Sequence, residues 1–144
     1  MSHYPDSSFL VSCYVLDANT PAAKAHLSRT SVPLAFTALH ALEVRNAFKL
    51  GVFRGLFTAA DARAAWSNVG NDVQSGRLVR TTVKWPVAFR VAAGMSERHS
   101  IRLGTRSLDI LHIAVAKVIR GVEFISFDAR QRALAATVGF KVAP

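Results

Sequence analysis

Cysteine, acidic residues and long apolar runs are all scarce in this chain. The single cysteine, Cys13, excludes an internal disulfide and is consistent with a reducing setting. The longest apolar run, 110–119, is broken by His112 and Lys117 and is too short to cross a bilayer. No basic stretch precedes an apolar run near Met1, so a signal peptide is not indicated. We therefore expect a cytoplasmic protein that does not associate with membranes.

Other absences narrow the range of functions. The eight glycines form neither common phosphate-binding loop pattern, so nucleotide hydrolysis lacks support. The five histidines show no pairing at metal-ligand spacing, which argues against a zinc site. The chain has no internal repeat and no linker rich in proline, glycine or serine. Residues 1–144 are therefore predicted to form a single domain.

The charge balance is strongly basic. Eighteen Lys and Arg residues stand against nine Asp and Glu residues, which gives a formal net charge of +9. Thirteen of the bases are arginines, whose planar guanidinium groups suit bidentate contacts with phosphate. This charge favours nucleic acid as the partner. Solubility, or an acidic protein partner, is the alternative explanation.

The chain alternates between short strand patterns and longer helical patterns. This alternation predicts an α/β fold in which a parallel sheet carries helices on both faces. In such sheets ligands bind beyond the carboxyl ends of the strands, where Asp6, Thr37 and Asp128 are predicted to lie. A basic loop is expected over 100–106. The predicted strands are 3–4, 32–37, 77–83, 124–127 and 140–142, and the predicted helices are 9–15, 22–27, 38–53, 59–73, 85–99, 108–119 and 129–138.

Glu43 is the most informative acidic residue. On a helical wheel it shares an apolar face with Leu39 and Ala47, and no Lys or Arg lies three or four positions away from it. An unpaired carboxylate on an apolar face is costly. Glu43 must therefore meet a metal ion, a distant base or water in a cleft.

Asp6, Asp109 and Asp128 each have a structural explanation as well as a functional one. Asp6 and Asp128 precede helices and are suited to cap them, and Gln131 would complete a capping box with Asp128. Asp109 follows a serine that is a good N-cap, and it lies where an acid complements the helix dipole. Their placement at one predicted sheet edge, with the helix of Glu43 beside it, favours a shared function.

Clustered carboxylates point to a metal site. Held close together they repel one another, and a divalent cation removes that repulsion. Hard oxygen ligands suit Mg²⁺ or Mn²⁺. Such ions activate water and neutralise the charge on a phosphate during in-line displacement. An acidic metal pocket in a basic protein is therefore the pattern expected of a metal-dependent nuclease.

Four stretches of the chain form an ordered set of acidic motifs. They are Asp6-Ser7-Ser8, the helix Ala-Leu-Glu-Val-Arg-Asn-Ala around Glu43, Arg106-Ser-Leu-Asp109-Ile-Leu-His-Ile-Ala, and Phe127-Asp128-Ala-Arg-Gln-Arg132. This set resembles the motifs of PIN domains, and most closely those of VapC-type toxins of bacterial toxin–antitoxin pairs. The resemblance covers nearly the whole chain, and the two C-terminal motifs are its most specific part.

The resemblance implies a three-layer α/β/α fold with a central parallel sheet of four to five strands. It implies an endoribonuclease that depends on Mg²⁺ or Mn²⁺, forms a homodimer and is silenced by a cognate antitoxin. The four acids would be both the catalytic residues and the metal ligands, with one serine as a supporting polar group. These residues are Asp6, Glu43, Asp109, Asp128 and Ser8.

Several further residues have two interpretations. Arg98, Arg102 and Arg106 would either guide RNA toward the acids or form a solvated basic surface. His112 is expected to be a satisfied core histidine.

The main alternative to a nuclease is a non-catalytic nucleic-acid-binding module with the same fold. A phospho-receiver domain fits poorly, because the net charge is basic and Glu43 belongs to a helix.

Overall fold

The computed structural model describes all residues, Met1–Pro144, as five short strands and seven helices in alternation. No helix combines the length and the apolar character needed to cross a membrane. The strands are β1 (Tyr4–Pro5), β2 (Leu34–Phe36), β3 (Leu78–Arg80), β4 (Glu123–Ile125) and β5 (Lys141–Ala143). The helices are α1 (Ser7–Tyr14), α2 (Thr20–Leu27), α3 (Ala38–Phe53), α4 (Ala59–Gln74), α5 (Trp85–Leu103), α6 (Ser107–Val118) and α7 (Ala129–Thr137).

All strand pairs are parallel, as predicted for this α/β class. They form a three-stranded sheet in the order β1-β4-β5 and a two-stranded sheet of β2 and β3. A single bridge between His3 and Leu34 joins the two sheets. The expected central sheet of four to five strands is therefore found in two parts. The reason lies in β1, because Pro5 has no amide hydrogen to donate and α1 begins two residues later.

Strand side chains alternate between two hydrophobic cores. Tyr4 and Phe124 belong to a core that also contains residues of α5, α6 and α7. Leu34 and Ile125 belong to a second core with residues of α1 to α4. Because successive strand residues point to opposite faces of a sheet, the two groups of helices cover opposite faces of the strands. Coverage of both faces is consistent with the fully buried strands β1, β2 and β4, whereas β3 and β5 each carry an exposed base, Arg80 and Lys141.

Local signals set most helix boundaries correctly. Thr37 and Thr58 cap α3 and α4, and both form full capping boxes, with His40 and Asp61 respectively. The predicted basic loop over 100–106 is wrong in its first half. Residues 100–103 continue α5, because no glycine or proline lies between Gly94 and Gly104. Gly104 ends the helix with a φ of 63°, a left-handed conformation that glycine adopts without strain.

Candidate functional site

The parallel pairing of β1 and β4 brings two predicted acids to the same edge of the sheet. Asp6 follows the last residue of β1 and precedes α1. Asp128 lies three residues beyond the end of β4 and precedes α7. The backbone N–H of Asp6 donates to the carbonyl of Ile125 at 2.8 Å, which ties the two strand ends together. Both acids therefore lie at a carboxyl edge, where ligands bind in sheets of this type.

Asp6 is a buried carboxylate with a raised pKa. Its Oδ1 accepts the backbone N–H of Phe9 at 2.7 Å, and its Oδ2 accepts the hydroxyl of Ser126 at 2.9 Å. Burial, with a smaller contribution from the negative charge of Asp109, raises the pKa of Asp6 to about 6, although the two hydrogen bonds and the charge of His112 act to lower it. Asp6 and Asp109 are thus close enough to repel each other. A cation placed between them would relieve that repulsion.

Ser126 and Gln131 link the carboxylate of Asp6 to the backbones of Asp109 and Asp128. The Ser126 hydroxyl lies 2.9 Å from Oδ2 of Asp6 and 2.7 Å from Oε1 of Gln131, and its single proton is donated to one of them at a time. The same oxygen accepts the backbone N–H of Asp128 at 3.0 Å. The side-chain amide of Gln131 in turn donates to the backbone carbonyl oxygen of Asp109 at 3.2 Å. We call Asp6, Asp109 and Asp128, joined in this way, the acidic edge.

Ser126 and Gln131 were not predicted as site residues. Both are buried, and the only sequence signal for Ser126 is its position immediately after β4. Asp128 does cap α7, because its Oδ1 accepts the backbone N–H of Gln131 at 2.8 Å. The expected capping box is incomplete, since the Gln131 side chain reaches Ser126 and Asp109 instead of Asp128. The second half of the cap is therefore used to hold the acidic edge together.

Asp109 lies in the first turn of α6, where it is held by an exposed arginine. Its Oδ2 accepts a hydrogen bond from Nε of Arg106 at 3.0 Å. Arg106 is the N-cap residue of α6 and makes no side-chain cap bond, whereas the expected cap, Ser107, is already the first helical residue. The hydrogen bond to Asp109, together with the negative charge of that carboxylate, raises the pKa of Arg106. One oxygen of Asp109, Oδ1, accepts no hydrogen bond and remains free for a ligand.

Glu43 forms a hydrogen bond with a base that is distant in sequence. Its Oε1 accepts the Ser7 hydroxyl at 2.9 Å and Nε2 of His112 at 2.5 Å. Burial raises the pKa of Glu43, but the hydrogen bonds from His112 and Ser7 and the charge of His112 outweigh it and lower the pKa overall. The sequence allows three partners for Glu43: a metal ion, a distant base or water in a cleft. The structure shows a distant base, His112 of α6. The metal-binding role of Glu43 stays a prediction.

His112 is a buried, hydrogen-bonded core residue, as predicted. In addition to Glu43, its ring contacts the hydroxyl of Tyr4 at 2.8 Å through Nδ1 and that of Ser7 at 3.3 Å through Nε2. His112 lies one turn after Asp109 on the same helix. The histidine thus connects the Glu43 helix to the helix that supplies part of the acidic edge.

The remaining predicted site residues, Ser8 and the arginines of α5, have fewer contacts with the acids. Ser8 is exposed and makes no hydrogen bond to the four acids, whereas Ser7 donates to Glu43 and Ser126 donates to Asp6. Ser8 nevertheless lines a cavity of about 410 Å³ together with Ser7 and Glu43. Arg98 and Arg102 are exposed on α5, and only Arg106 forms an ion pair with an acid.

The donor chemistry at this edge fits a hard divalent cation, whereas the arrangement of the side chains does not yet form a metal site. Oε2 of Glu43, Oδ1 of Asp109 and Oδ2 of Asp128 each accept no hydrogen bond. Carboxylate oxygens are the ligands that Mg²⁺ and Mn²⁺ prefer. No group of three or more His, Cys, Asp or Glu side chains is placed so that it could hold a metal ion.

Comparison with known proteins shows the fold alone. No protein-family model and no curated protein matches this chain. Among solved structures, the chain is similar to the crystal structure of FitAcB from Neisseria gonorrhoeae, with a TM-score of 0.61 and 14% sequence identity. The match covers 98% of this chain and 96% of that one. At this identity the likeness extends to the arrangement of helices and strands and not to the chemistry of the site.

Proposed function

We propose that this protein is a metal-dependent endoribonuclease of the PIN type that acts as the toxin of a toxin–antitoxin pair. The observation that supports the proposal is that Asp6 and Asp128 follow neighbouring parallel strands and are joined, through Ser126 and Gln131, to the backbone of Asp109 in the first turn of α6. These aspartates are three of only nine acidic residues in a chain with a net charge of +9. The basic surface would gather RNA, and the acidic edge would act on it.

The residues that would hold Mg²⁺ or Mn²⁺ are Asp6, Asp109 and Asp128, with Glu43 as the fourth predicted ligand. When bound, the ion supplies an activated water and neutralises charge on the phosphate. The network around Ser126 holds the acidic edge together, and His112 keeps Glu43 ionised. Arg106, which is exposed beside Asp109, would contact the phosphate backbone of a substrate.

Cleavage of RNA by two matched variants tests the proposal. Wild-type protein should cleave total RNA at defined positions with Mg²⁺ or Mn²⁺ and should not cleave it in EDTA. Asp109→Asn should lose cleavage and keep RNA binding. Asp61→Asn is the control, because Asp61 also lies in the first turn of a helix but hydrogen-bonds only with Thr58 and with no residue of the acidic edge. Full cleavage by Asp109→Asn, or full activity in EDTA, would overturn the proposal.

A second candidate function is a non-catalytic nucleic-acid-binding module. It is favoured by the finding that no three acidic side chains are placed to hold a metal ion. It is also favoured by the pairing of Glu43 with His112, which satisfies this carboxylate without a cation. This candidate predicts that wild type and Asp109→Asn bind RNA equally and that neither cleaves any RNA with either metal.

The toxin assignment and its partners rest on the PIN resemblance and have their own tests. A short reading frame immediately upstream, encoding a DNA-binding protein, is the expected source of the antitoxin. Expression of the chain alone should arrest growth, and coexpression of that neighbour should relieve the arrest. Light scattering should give the mass of a homodimer for the purified chain. Normal growth on expression of active protein would contradict the toxin role and leave the nuclease intact.

A further inference from the structure

A basic cleft lies between α3 and α4, on the side of α3 that faces away from the acids. Its volume is about 250 Å³. Glu43 points from α3 toward Ser7 of α1, whereas the cleft residues of α3 lie on the opposite side of the helix. The cleft is lined by Arg45, Phe48, Lys49, Ala62, Arg63 and Trp66.

The positive charge of the basic cleft is not compensated. Every ion pair of the protein involves other residues, so Arg45, Lys49 and Arg63 have no carboxylate partner. Two acids lie two positions away from a cleft base in sequence, and both are engaged elsewhere. Glu43 accepts hydrogen bonds from Ser7 and His112, and Asp61 uses its side chain to cap α4 through Thr58. Lys49 and Arg63 are exposed and able to contact a ligand directly.

An aromatic surface completes the basic cleft. The guanidinium carbon of Arg45 lies 4.4 Å from the centroid of the Trp66 ring, which is the geometry of a cation–π contact. Phe48 is buried beneath it. The Arg45 guanidinium and the Trp66 indole are therefore already in contact without a ligand. Cations combined with an aromatic platform are typical of sites for single-stranded nucleic acid.

We propose that the basic cleft binds one nucleotide of single-stranded RNA outside the cleavage site. Lys49 and Arg63 take the phosphate, and the base stacks on the pair formed by Arg45 and Trp66. The inference rests on the proposed function in one respect, namely that RNA is the substrate. The cleft is smaller than the roughly 300–1,000 Å³ of small-molecule pockets, which suits one unit of a polymer. An acidic peptide would use the cations but would leave the aromatic stack without a role.

Salt-dependent RNA binding tests the phosphate contacts. Anisotropy of a labelled single-stranded RNA of about 12 nucleotides is measured in EDTA, so that no cleavage occurs. Lys49→Gln/Arg63→Gln should lower the slope of log K against log salt by about 1.4, because two phosphate contacts are lost. Lys24→Gln/Arg90→Gln is the control, since it removes the same charge from two exposed residues elsewhere. Equal slopes in the two double variants would overturn the proposal.

Fluorescence of Trp66 tests the base stack. Trp66 and Trp85 are the only tryptophans, so a Trp85→Phe background isolates the cleft signal. RNA should quench Trp66, and a polyglutamate peptide should not. Quenching by polyglutamate with displacement of RNA would replace the proposal with an acidic peptide partner. Because Trp66 is partly buried, the exposed pair Lys49 and Arg63 provides the binding variant and Trp66 serves as the reporter.

The two proposals fail in different ways. If the basic cleft variant binds RNA like the control while Asp109→Asn abolishes cleavage, the cleft inference is wrong and the nuclease stands. If the cleft variant loses binding but the wild type cleaves no RNA with Mg²⁺ or Mn²⁺, the nuclease is wrong and the cleft stands. Circular dichroism of each variant checks that the fold is retained.

Discussion

Glu43 and His112 lie 69 positions apart in the sequence and share a hydrogen bond of 2.5 Å. The bond joins α3 to α6 and holds the Glu43 carboxylate beside Ser7, the residue that follows Asp6. A carboxylate on the apolar face of a helix is thus stabilised by a buried imidazole from another helix. The same contact orders the side chain that the PIN resemblance assigns to the metal site.

The pairing of Glu43 with His112 predicts strong coupling between the two positions. His112→Leu should lower the free energy of unfolding by about 2–4 kcal/mol, because it leaves a half-buried carboxylate without its base. Glu43→Gln in the same protein should recover part of that loss. Urea denaturation of both single variants and the double variant gives the coupling energy. Strict additivity of the two changes would contradict the pairing.

Ser126 should be important for stability, although its sequence neighbourhood does not mark it. Ser126→Ala leaves buried partners on Asp6, Gln131 and Asp128 without their hydrogen bonds and should cost about 1–3 kcal/mol. Ser8→Ala removes an exposed hydroxyl and should change stability by less than about 0.5 kcal/mol. Thermal melts of the two serine variants compare the positions directly. Similar melting temperatures for the two would contradict the network around Ser126.

His40 should make the protein less stable in acid. Its Nδ1 accepts the backbone N–H of Thr37 at 3.0 Å and its Nε2–H donates to the carbonyl of Pro5 at 2.8 Å, so the fold requires the neutral ring. Burial lowers its pKa to about 3. The unfolded chain therefore binds a proton below about pH 6.5 that the folded chain does not, and stability is lost as pH falls from there toward 3.

The slope of stability with pH measures this effect. Between these pKa values His40 should reduce the free energy of unfolding by up to about 1.4 kcal/mol per pH unit. His40→Gln should lack this component, so its stability deficit relative to wild type should shrink on acidification. The pKa of Asp6 is raised to about 6, so protonation of Asp6 favours the folded state as pH falls. This effect is the same in wild type and His40→Gln, and it cancels when their free energies of unfolding are subtracted. A constant deficit between pH 7 and pH 5 would show that His40 is not held neutral.

Two helical glycines should respond oppositely to alanine. A Cβ at Gly51 of α3 would overlap the ring of Phe57, whereas a Cβ at Gly70 of α4 would meet no atom within 4 Å. Gly70→Ala should therefore raise stability by about 0.5–1 kcal/mol through helix propensity. Gly51→Ala should lower it by about 1–3 kcal/mol, because the Phe57 ring must move. Stabilisation by both changes would show that Phe57 relocates freely.

Local features of the fold could be predicted from the sequence, and long-range partners could not. The Thr37 and Thr58 caps and the bounds of α3 depend on residues within a few positions of each other. The partner of Glu43 depends instead on how α3 packs near α6, which no local pattern reveals. Gln131 has the spacing of a capping residue. Its side chain instead contacts Ser126, because the fold places the buried Ser126 hydroxyl within hydrogen-bond distance of the Gln131 amide oxygen.

The acidic edge itself was only partly predictable. Strand ends in a parallel sheet meet at one edge, so the approach of Asp6 to Asp128 follows from the order of the strands. The separation between side chains does not follow from that order. The structure joins the three aspartates by hydrogen bonds without placing any three acids close enough to hold an ion. Metal binding at the acidic edge is tested by a direct measurement.

Thermal melting with Mn²⁺ is that measurement. If the acidic edge binds the ion, saturating Mn²⁺ should stabilise the wild type, by about 2.7 kcal/mol at a concentration 100 times Kd. Asp61→Asn should gain the same rise in melting temperature, because Asp61 hydrogen-bonds with no residue of the acidic edge. Asp109→Asn should gain little. An equal rise in all three proteins, or no rise in any, would contradict a metal site built on Asp6, Asp109 and Asp128.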